Sequence, residues 1–228
     1  MVRGYGQYCP VAKGAEVFAE RWTPLIVRNL HLGCRSFDEV HQGIPRMSRS
    51  LLSQRLAALE RDGIVQRRRS PSGRGWHWHL TPAGQELNDV CMALGTWASR
   101  WMALTPRDYD PGIVLWAWCR LIDPGRLPER RVVVRFDLHD LPRQRFWLVL
   151  DKPDAELCMV HPGFDEDLIV VTDSRTLTLV HMGRLPLAEA VDAGAWQTQG
   201  PPELARALMR WGGTSPFAGV APALDPRG

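Results

Sequence analysis

Basic and hydrogen-bonding side chains are concentrated between residues 46 and 74. They are Arg46, Ser48, Arg49, Ser50, Ser53, Gln54, Arg55 and Arg61, followed by Arg67, Arg68, Arg69 and Arg74. Guanidinium and amide groups donate hydrogen bonds to base edges, and arginines also neutralise phosphates whatever the base sequence is. These residue types at this density therefore indicate contact with double-stranded DNA.

The first of these two groups is predicted to lie on a helix that begins after Ser48. Pro45 forbids helical continuation from the preceding segment, and Ser48 is of the residue type that caps a new helix. At about 100° per residue, Leu52, Leu56 and Leu59 fall on one side, which must face a core. The opposite side carries Ser50, Gln54 and Arg61, with Ser53 and Arg55 at its flanks, and this polar side can enter a major groove.

Other helices and a hairpin are predicted around this helix. Thr23 is followed by proline as at a helix start, and Ser36 and Glu39 have the spacing of a capping box. Residues 64–69 and 76–80 are strand-like and flank a turn rich in glycine and serine, so that they form a hairpin. Three helices followed by a basic hairpin predict a winged helix-turn-helix.

A long apolar helix is predicted after the hairpin, from Pro82 to Leu104. Its apolar stripe consists of Leu87, Val90, Cys91, Leu94, Trp97, Ala98, Trp101 and Met102. At some 20 residues, this stripe exceeds what a small domain needs for its own core, so we interpret it as a dimerisation helix.

The charge balance and the element pattern change near residue 106. Residues 1–106 hold 14 Lys and Arg against 8 Asp and Glu, whereas residues 107–228 hold 14 against 17. We therefore predict a DNA-binding and dimerisation domain over 1–106, a linker over 107–111, a second domain over 112–212 and a flexible tail over 213–228. A helix, four strands and then further helices give the second domain an α+β class.

Several functional classes have no support in the sequence. Five scattered cysteines without a CxxC pair argue against a disulfide framework or a zinc site. His77 and His79 share one face of a wing strand but have no carboxylate or cysteine beside them, so we predict no metal. No nucleophile–base set, P-loop or dinucleotide motif occurs, and we expect neither an enzyme nor a cofactor. The lack of a signal peptide or an apolar span predicts a cytoplasmic protein without membrane contact.

The amino-acid sequence of the first half resembles that of a known family. CPVAKGAEVFAERWTPLIVRNL, RSFDEVHQGIPRMSRSLLSQRLAALERDGIVQR and HLTPAGQEL are similar to the HxlR-type transcription regulators, over about residues 8–104. The resemblance implies that residues 48–61 are the recognition helix and that the arginines of the hairpin form a wing near the minor groove or flanking phosphates. It also implies a homodimer, built from the N-terminal segment and the Pro82–Leu104 helix, that reads an inverted repeat.

The second half resembles the sterol carrier protein fold. The segments 182–190, 194–196 and 200–204 match that family's glycine-marked run of helix, short strand, glycine and helix, within residues 112–212. The resemblance implies an apolar ligand in a hydrophobic tunnel, and Trp116, Trp147 and Trp196 are candidate lining residues. A role of these tryptophans in the core is the competing interpretation.

The combined prediction is a dimeric repressor that responds to an apolar ligand or to redox state. In some HxlR-type proteins an N-terminal cysteine is a redox switch, and Cys9 stands at that place here. The competing interpretation of Cys9 is an unreactive thiol packed under the dimer helix. The alternative for the whole chain is a lipid-binding or apolar-ligand-binding protein whose winged helix serves dimerisation or protein contacts.

Overall fold

A computed structural model describes residues 4–223 of the chain. Its contacts divide the chain into two compact units, residues 1–95 and residues 96–228. The division falls within a helix, ahead of the boundary at residue 106 that the proline-rich linker predicts. The predicted domain limits of 106, 111 and 212 stay predictions.

The N-terminal unit is a winged helix-turn-helix. Its elements are α1 (Pro10–Phe18), α2 (Thr23–His31), α3 (Phe37–Gln42), α4 (Arg49–Arg61), β1 (Val65–Arg69), β2 (Trp76–Leu80) and α5 (Pro82–Trp101), of which α5 continues into the second unit. The predicted helices and the hairpin are confirmed, except that α5 ends at Trp101 rather than at the predicted Leu104. Helix α1 was not predicted, because its nine residues carry no buried side chain and thus no core-facing stripe.

Local hydrogen bonds fix where these helices begin. Ser36 and Glu39 form the predicted capping box at the start of α3, and the Ser48 hydroxyl accepts from the Leu51 amide at the start of α4. At the start of α5, a Cβ on Gly84 would lie 2.2 Å from the carbonyl oxygen of Ile64. Glycine is therefore required where the first turn of α5 lies against the backbone that leads into the wing.

The C-terminal unit is an α+β fold around a five-stranded sheet. Its elements are α6 (Pro111–Leu121), β3 (Val132–Leu138), β4 (Arg145–Asp151), β5 (Asp154–Cys158), β6 (Leu168–Thr172), α7 (Ser174–His181), α8 (Leu187–Asp192), β7 (Gln197–Gln199) and α9 (Pro202–Leu208). The strand order is β5-β4-β3-β6-β7, with β3 and β6 parallel and the other pairs antiparallel.

The core of this unit lies on one face of the sheet. Alternate residues of β3 and β4, such as Phe136 and Leu148, point to that face and pack with Trp118 of α6. The Trp196 ring meets Phe136 edge-on, with ring centroids 6.3 Å apart, and Trp196 is only 3% exposed. Trp196 therefore packs in the core, which is the competing interpretation that the sequence left open, and a ligand contact of this residue stays a prediction.

The segment after α9 lies against the C-terminal unit. Gly213 has φ +99°, and a Cβ there would lie 2.0 Å from a ring carbon of Trp118. The Ser215 amide donates to the carbonyl of His181 and the Ala223 amide donates to that of Arg100. Residues 213–223 of the predicted flexible tail thus have backbone hydrogen bonds, and its last five residues lie outside the described part.

Within the described part of the chain, no helix combines the length and the apolarity that crossing a bilayer requires.

Candidate nucleic-acid interface

Helix α4 has a buried side and an exposed polar side. Leu52, Leu56 and Leu59 are at most 2% exposed, as their spacing predicts. On the opposite side Ser50 and Gln54 are exposed. The leucines hold the helix on the core and leave short polar side chains outward near its N-terminus, which is the arrangement that readers of the major groove use.

Two predicted DNA-contacting arginines of α4 already have carboxylate partners. Arg49 pairs with Asp38 of α3 at 2.7 Å, and Arg55 pairs with Glu20 at 2.5 Å. Arg49 also lies over the Phe37 ring, with its guanidinium carbon 4.7 Å from the ring centroid. Arg55 is the less accessible of the two, with 28% of its side chain exposed, and it links α4 to the segment before α2.

The remaining predicted residues of this region are all exposed. Arg46, Ser48, Ser53 and Arg61 lie on the surface at the turn before α4 or along α4 itself, and Arg68, Arg69 and Arg74 lie on the surface of the hairpin. Among residues 4–223, no ion pair is formed by Arg61, Arg68 or Arg74. These three guanidinium groups keep their charge available for phosphates.

The wing is ordered by stacking of arginines on a tryptophan. Trp76 stands directly opposite Arg69 in the hairpin, and the guanidinium carbons of Arg67 and Arg69 lie 5.0 and 4.4 Å from the Trp76 ring centroid. Arg67 also pairs with Glu60 of α4 at 3.2 Å. Because stacked guanidinium groups lose less freedom on binding, this arrangement prepares the wing for a phosphate backbone.

The wing is fixed to the helix-turn-helix by Trp78. Its amide donates to the carbonyl of Arg35 at 2.9 Å, and its ring meets Phe37 edge-on. His77 and His79 lie on the other face of β2, as the alternation predicts. Burial lowers the pKa of His79, and Arg35 and Arg68 lower it further. Among the described residues, no group of three potential metal ligands occurs.

A polar link between α2 and the turn before α4 was missed at the sequence level. Arg28 donates to the side-chain oxygen of Asn29 and to the carbonyl of Gly43, and Asn29 donates to the carbonyl of Val40. Burial lowers the pKa of Arg28. The signal available in the sequence was the arginine and the asparagine within the mainly apolar helix α2. In the structure these two residues hold α3 and the turn before α4 in place.

Helix α5 carries an exposed apolar stripe. Val90, Leu94, Trp97 and Trp101 fall within about 60° of one another at helical spacing and are 45–52% exposed. Tyr8 and Val11 are exposed at the N-terminus and on α1. By contrast, Cys91 faces inward, where its thiol donates to the carbonyl of Pro24 and burial raises its pKa to about 11.

Cys9 stands immediately before α1. It is half-buried, and its carbonyl accepts from the Lys13 amide, while its side chain makes no capping hydrogen bond to the helix.

The three predicted ligand-binding tryptophans do not lie together in either of two cavities formed by described residues of the C-terminal unit. Trp116 is 4% exposed and lines neither of two cavities of the C-terminal unit. Trp147 lines the smaller one, of about 300 Å³, and donates to Glu166 at 3.2 Å. That hydrogen bond, with those from Arg135, lowers the pKa of Glu166. The larger cavity, of about 680 Å³, is lined by residues that the sequence did not predict as ligand-binding.

Comparison with known proteins identifies the N-terminal part of the chain. The family model described as HxlR-like helix-turn-helix matches residues 17–106. The uncharacterized HTH-type transcriptional regulator YvaP of Bacillus subtilis (strain 168) is 32% identical over 98 residues, which are 42% of this chain and 91% of YvaP. The chain belongs to the HxlR-like helix-turn-helix family.

Another HxlR-like relative is the HTH-type transcriptional regulator YodB of Bacillus subtilis (strain 168). It is 32% identical over 94 residues, which are 40% of this chain and 84% of YodB. The crystal structure of diamide-treated YodB is similar at 33% identity and a TM-score of 0.35, over 40% of this chain and 91% of that chain. YodB has also been solved in a quinone-bound form. The HxlR-like match thus covers α2 to α5 and the wing.

For the C-terminal unit, the ubiquinone synthesis protein UbiJ-SCP2 is a structural neighbour at 18% identity. Its TM-score is 0.32, over 39% of this chain and 69% of that chain. A likeness at this level carries no weight, so the resemblance of this unit to sterol carrier proteins stays a prediction.

Proposed function

We propose that this HxlR-like protein is a homodimeric, DNA-binding transcriptional repressor. The observation that carries the proposal is the two-sided helix α4, with buried leucines beneath an exposed face bearing Ser50, Gln54 and Arg61. In the proposed complex, α4 enters the major groove and Gln54 faces an adenine edge. The exposed guanidinium groups of the wing lie against flanking phosphates.

The dimer is proposed to form through the stripe of Val90, Leu94, Trp97 and Trp101 on α5. Four large apolar side chains at heptad-like spacing, each about half exposed, form an apolar strip. A second copy of the same helix would cover it about a two-fold axis. Two copies of α4 would then read the two halves of an inverted repeat.

The C-terminal unit is proposed to bind an apolar or amphipathic effector. Support comes from its five-stranded sheet with helices over the core face, which is the layout expected of a sterol carrier-like domain. The redox response that the family resemblance implies for Cys9 stays a second proposal, supported by the position of this half-buried thiol directly before α1.

The DNA-binding proposal is tested by the salt dependence of binding. A duplex selected by the full chain from a random pool is titrated at several salt concentrations, with Arg68→Ala and Arg143→Ala as variants. Both arginines are exposed, but Arg143 lies at the smaller cavity of the C-terminal unit. We expect Arg68→Ala to weaken binding and to reduce the slope of log K against log salt by about one per protomer, which is about two for the homodimer.

Arg143→Ala is expected to leave both the affinity and the slope unchanged. A salt-independent affinity, or equal losses in the two variants, would contradict DNA binding through the wing. It would favour the alternative of an apolar-ligand-binding protein whose winged helix serves dimerisation or protein contacts.

A further inference from the structure

The larger cavity of the C-terminal unit is built around the C-terminal end of helix α5. It has a volume of about 680 Å³, and residues 99, 100 and 102–104 with Tyr109 form one wall. Arg175 and Leu179 of α7 and the turn after this helix form a second wall, and residues 218–222 form the third. All of these residues belong to the C-terminal unit. The cavity is within the size range of small-molecule sites.

The walls of this cavity combine apolar side chains with positive charge. Met102, Leu104, Leu179, Leu185 and Val220 supply apolar surface. Three arginines, Arg100, Arg175 and Arg184, are also in the lining, which contains no Asp or Glu among the described residues. A site with several cations, no carboxylate and apolar walls favours a ligand with one acidic group on an apolar body.

Arg184 is incompletely satisfied in its present position. Its Nη2 donates to the carbonyl and to the hydroxyl of Ser99 in the last turn of α5. Its Nη1 is buried and has no hydrogen-bond partner among residues 4–223. A buried guanidinium nitrogen without an acceptor is costly, so an anion that reaches Arg184 gains a partner that the protein does not provide.

The backbone around Arg184 is held tightly. The amides of Arg184 and Leu185 both donate to the carbonyl of Leu179. Gly183 has φ +65°, and a Cβ there would lie 2.7 Å from the Cβ of Ala218. The Ala223 amide caps the carbonyl of Arg100 at the end of α5. The walls are therefore preformed, and the guanidinium of Arg184 is the part that can gain a partner.

We propose that this cavity binds a compact amphipathic organic anion, with its acidic group at Arg175 and Arg184 and its apolar body against Leu104 and Leu179. The anion accepts from Nη1 of Arg184, which has no partner among the described residues, while Nη2 stays bound to Ser99, and so it is linked through one guanidinium to the last turn of α5. The part of this proposal that concerns DNA rests on the proposed function, whereas the binding site itself does not.

The site is tested with a matched pair of dyes on the full chain. The first is 8-anilinonaphthalene-1-sulfonate, and the second is N-phenyl-1-naphthylamine, which has the same apolar body without the sulfonate. Fluorescence titration is expected to show one site per chain for the anionic dye. Its affinity should exceed that of the neutral dye by about tenfold or more, as expected for one charge-assisted hydrogen bond.

Two variants locate the site. Arg175→Gln removes an exposed charge at the cavity, and Arg184→Gln removes the guanidinium bound to Ser99. Each is expected to weaken the anionic dye about tenfold and to leave the neutral dye unchanged. Arg143→Gln, which removes the same charge at the smaller cavity, is the control and should change neither. If Arg184→Gln lowers the midpoint of thermal unfolding, the dye affinities of Arg175→Gln alone decide whether the proposed site is correct.

Equal affinity for the two dyes, or an unchanged affinity in Arg175→Gln, would overturn the proposed site. A separate titration of the selected duplex with and without the anionic dye addresses regulation. One-site binding that depends on Arg175 but leaves DNA affinity unchanged supports the site and contradicts the effector role. A change in DNA affinity that persists in Arg175→Gln places the effector elsewhere and overturns the site.

Discussion

The tryptophans of helix α5 and those of the C-terminal core lie in opposite surroundings. Trp97 and Trp101 on α5 are 52% and 45% exposed, whereas Trp118 and Trp196 are 0% and 3% exposed. On α5 the large apolar residues form one stripe with polar residues on both sides, but α6 is apolar nearly all round. Residue type alone does not assign a role to a tryptophan; on these two helices the period of its neighbours distinguishes the exposed stripe of α5 from the core-facing α6.

The largest expected effect is on folding of the C-terminal unit. Trp196→Ala removes a buried ring that meets Phe136, and we expect it to lower the free energy of unfolding by about 3–5 kcal/mol. Trp97→Ala removes an exposed ring of equal size and should cost the isolated protomer far less. Denaturant unfolding at low protein concentration measures both. Equal losses of unfolding free energy in the two variants would contradict the contrast between the buried tryptophan of the core and the exposed tryptophan of α5.

Where the sequence predicts well, the determining interactions are local. The leucine spacing of α4 and the Ser48 cap depend on residues within one or two turns, and both are confirmed. The role of Trp196 depends on which strand its segment meets, which the chain specifies only through the whole sheet. Strand β7, with the sequence Gln-Thr-Gln, has no apolar alternation, so that only the family resemblance, and no hydrophobic period, implied a short strand before Gly200.

The larger cavity could not be predicted from the sequence for the same reason. Its walls come from residues 99–109, 175–185 and 218–222, and no spacing within any one of these segments brings them together. The polar link through Arg28 likewise depends on a contact 15 residues away, at Gly43. Helix caps, hydrophobic periods and turns could be predicted from the sequence, whereas sites formed by residues from distant segments could not.

An effect on assembly is expected next. Trp97→Ala removes a central side chain of the exposed stripe, and large aromatic side chains contribute about 2 kcal/mol or more at the centre of interfaces. Because the substitution removes this side chain from both protomers, about 4 kcal/mol is lost, and we expect the dissociation constant of the dimer to rise about a thousandfold, as measured by sedimentation at graded concentrations. Met159→Ala, at a residue 57% exposed but outside α5, is the control. A dimer that is insensitive to Trp97 would contradict the proposed interface.

The smallest expected effect is a pH dependence that originates in the C-terminal unit. His181 is 6% exposed, its Nδ1 is hydrogen-bonded to the carbonyl of Gly213, and burial lowers its pKa. The unfolded chain then binds the proton more readily than the folded one. The contribution of neutral His181 to the free energy of unfolding is therefore fully present above the unfolded pKa of about 6.5. This contribution decreases as the pH falls from there through the lower folded pKa, by at most about 1.4 kcal/mol per pH unit.

Denaturant unfolding between pH 7.5 and 5 in wild type and His181→Gln isolates this contribution. The variant loses the imidazole hydrogen bond to Gly213, so its stability at pH 7.5 is expected to be lower. Its stability should nevertheless fall less steeply below pH 6.5, because the proton-linked group is gone. Parallel curves for the two proteins would mean that His181 takes up no extra proton on unfolding. The pH dependence of stability would then arise from other groups. Burial in the C-terminal core, in contrast to exposure on the α5 stripe, would then have no measurable effect on proton binding by this imidazole.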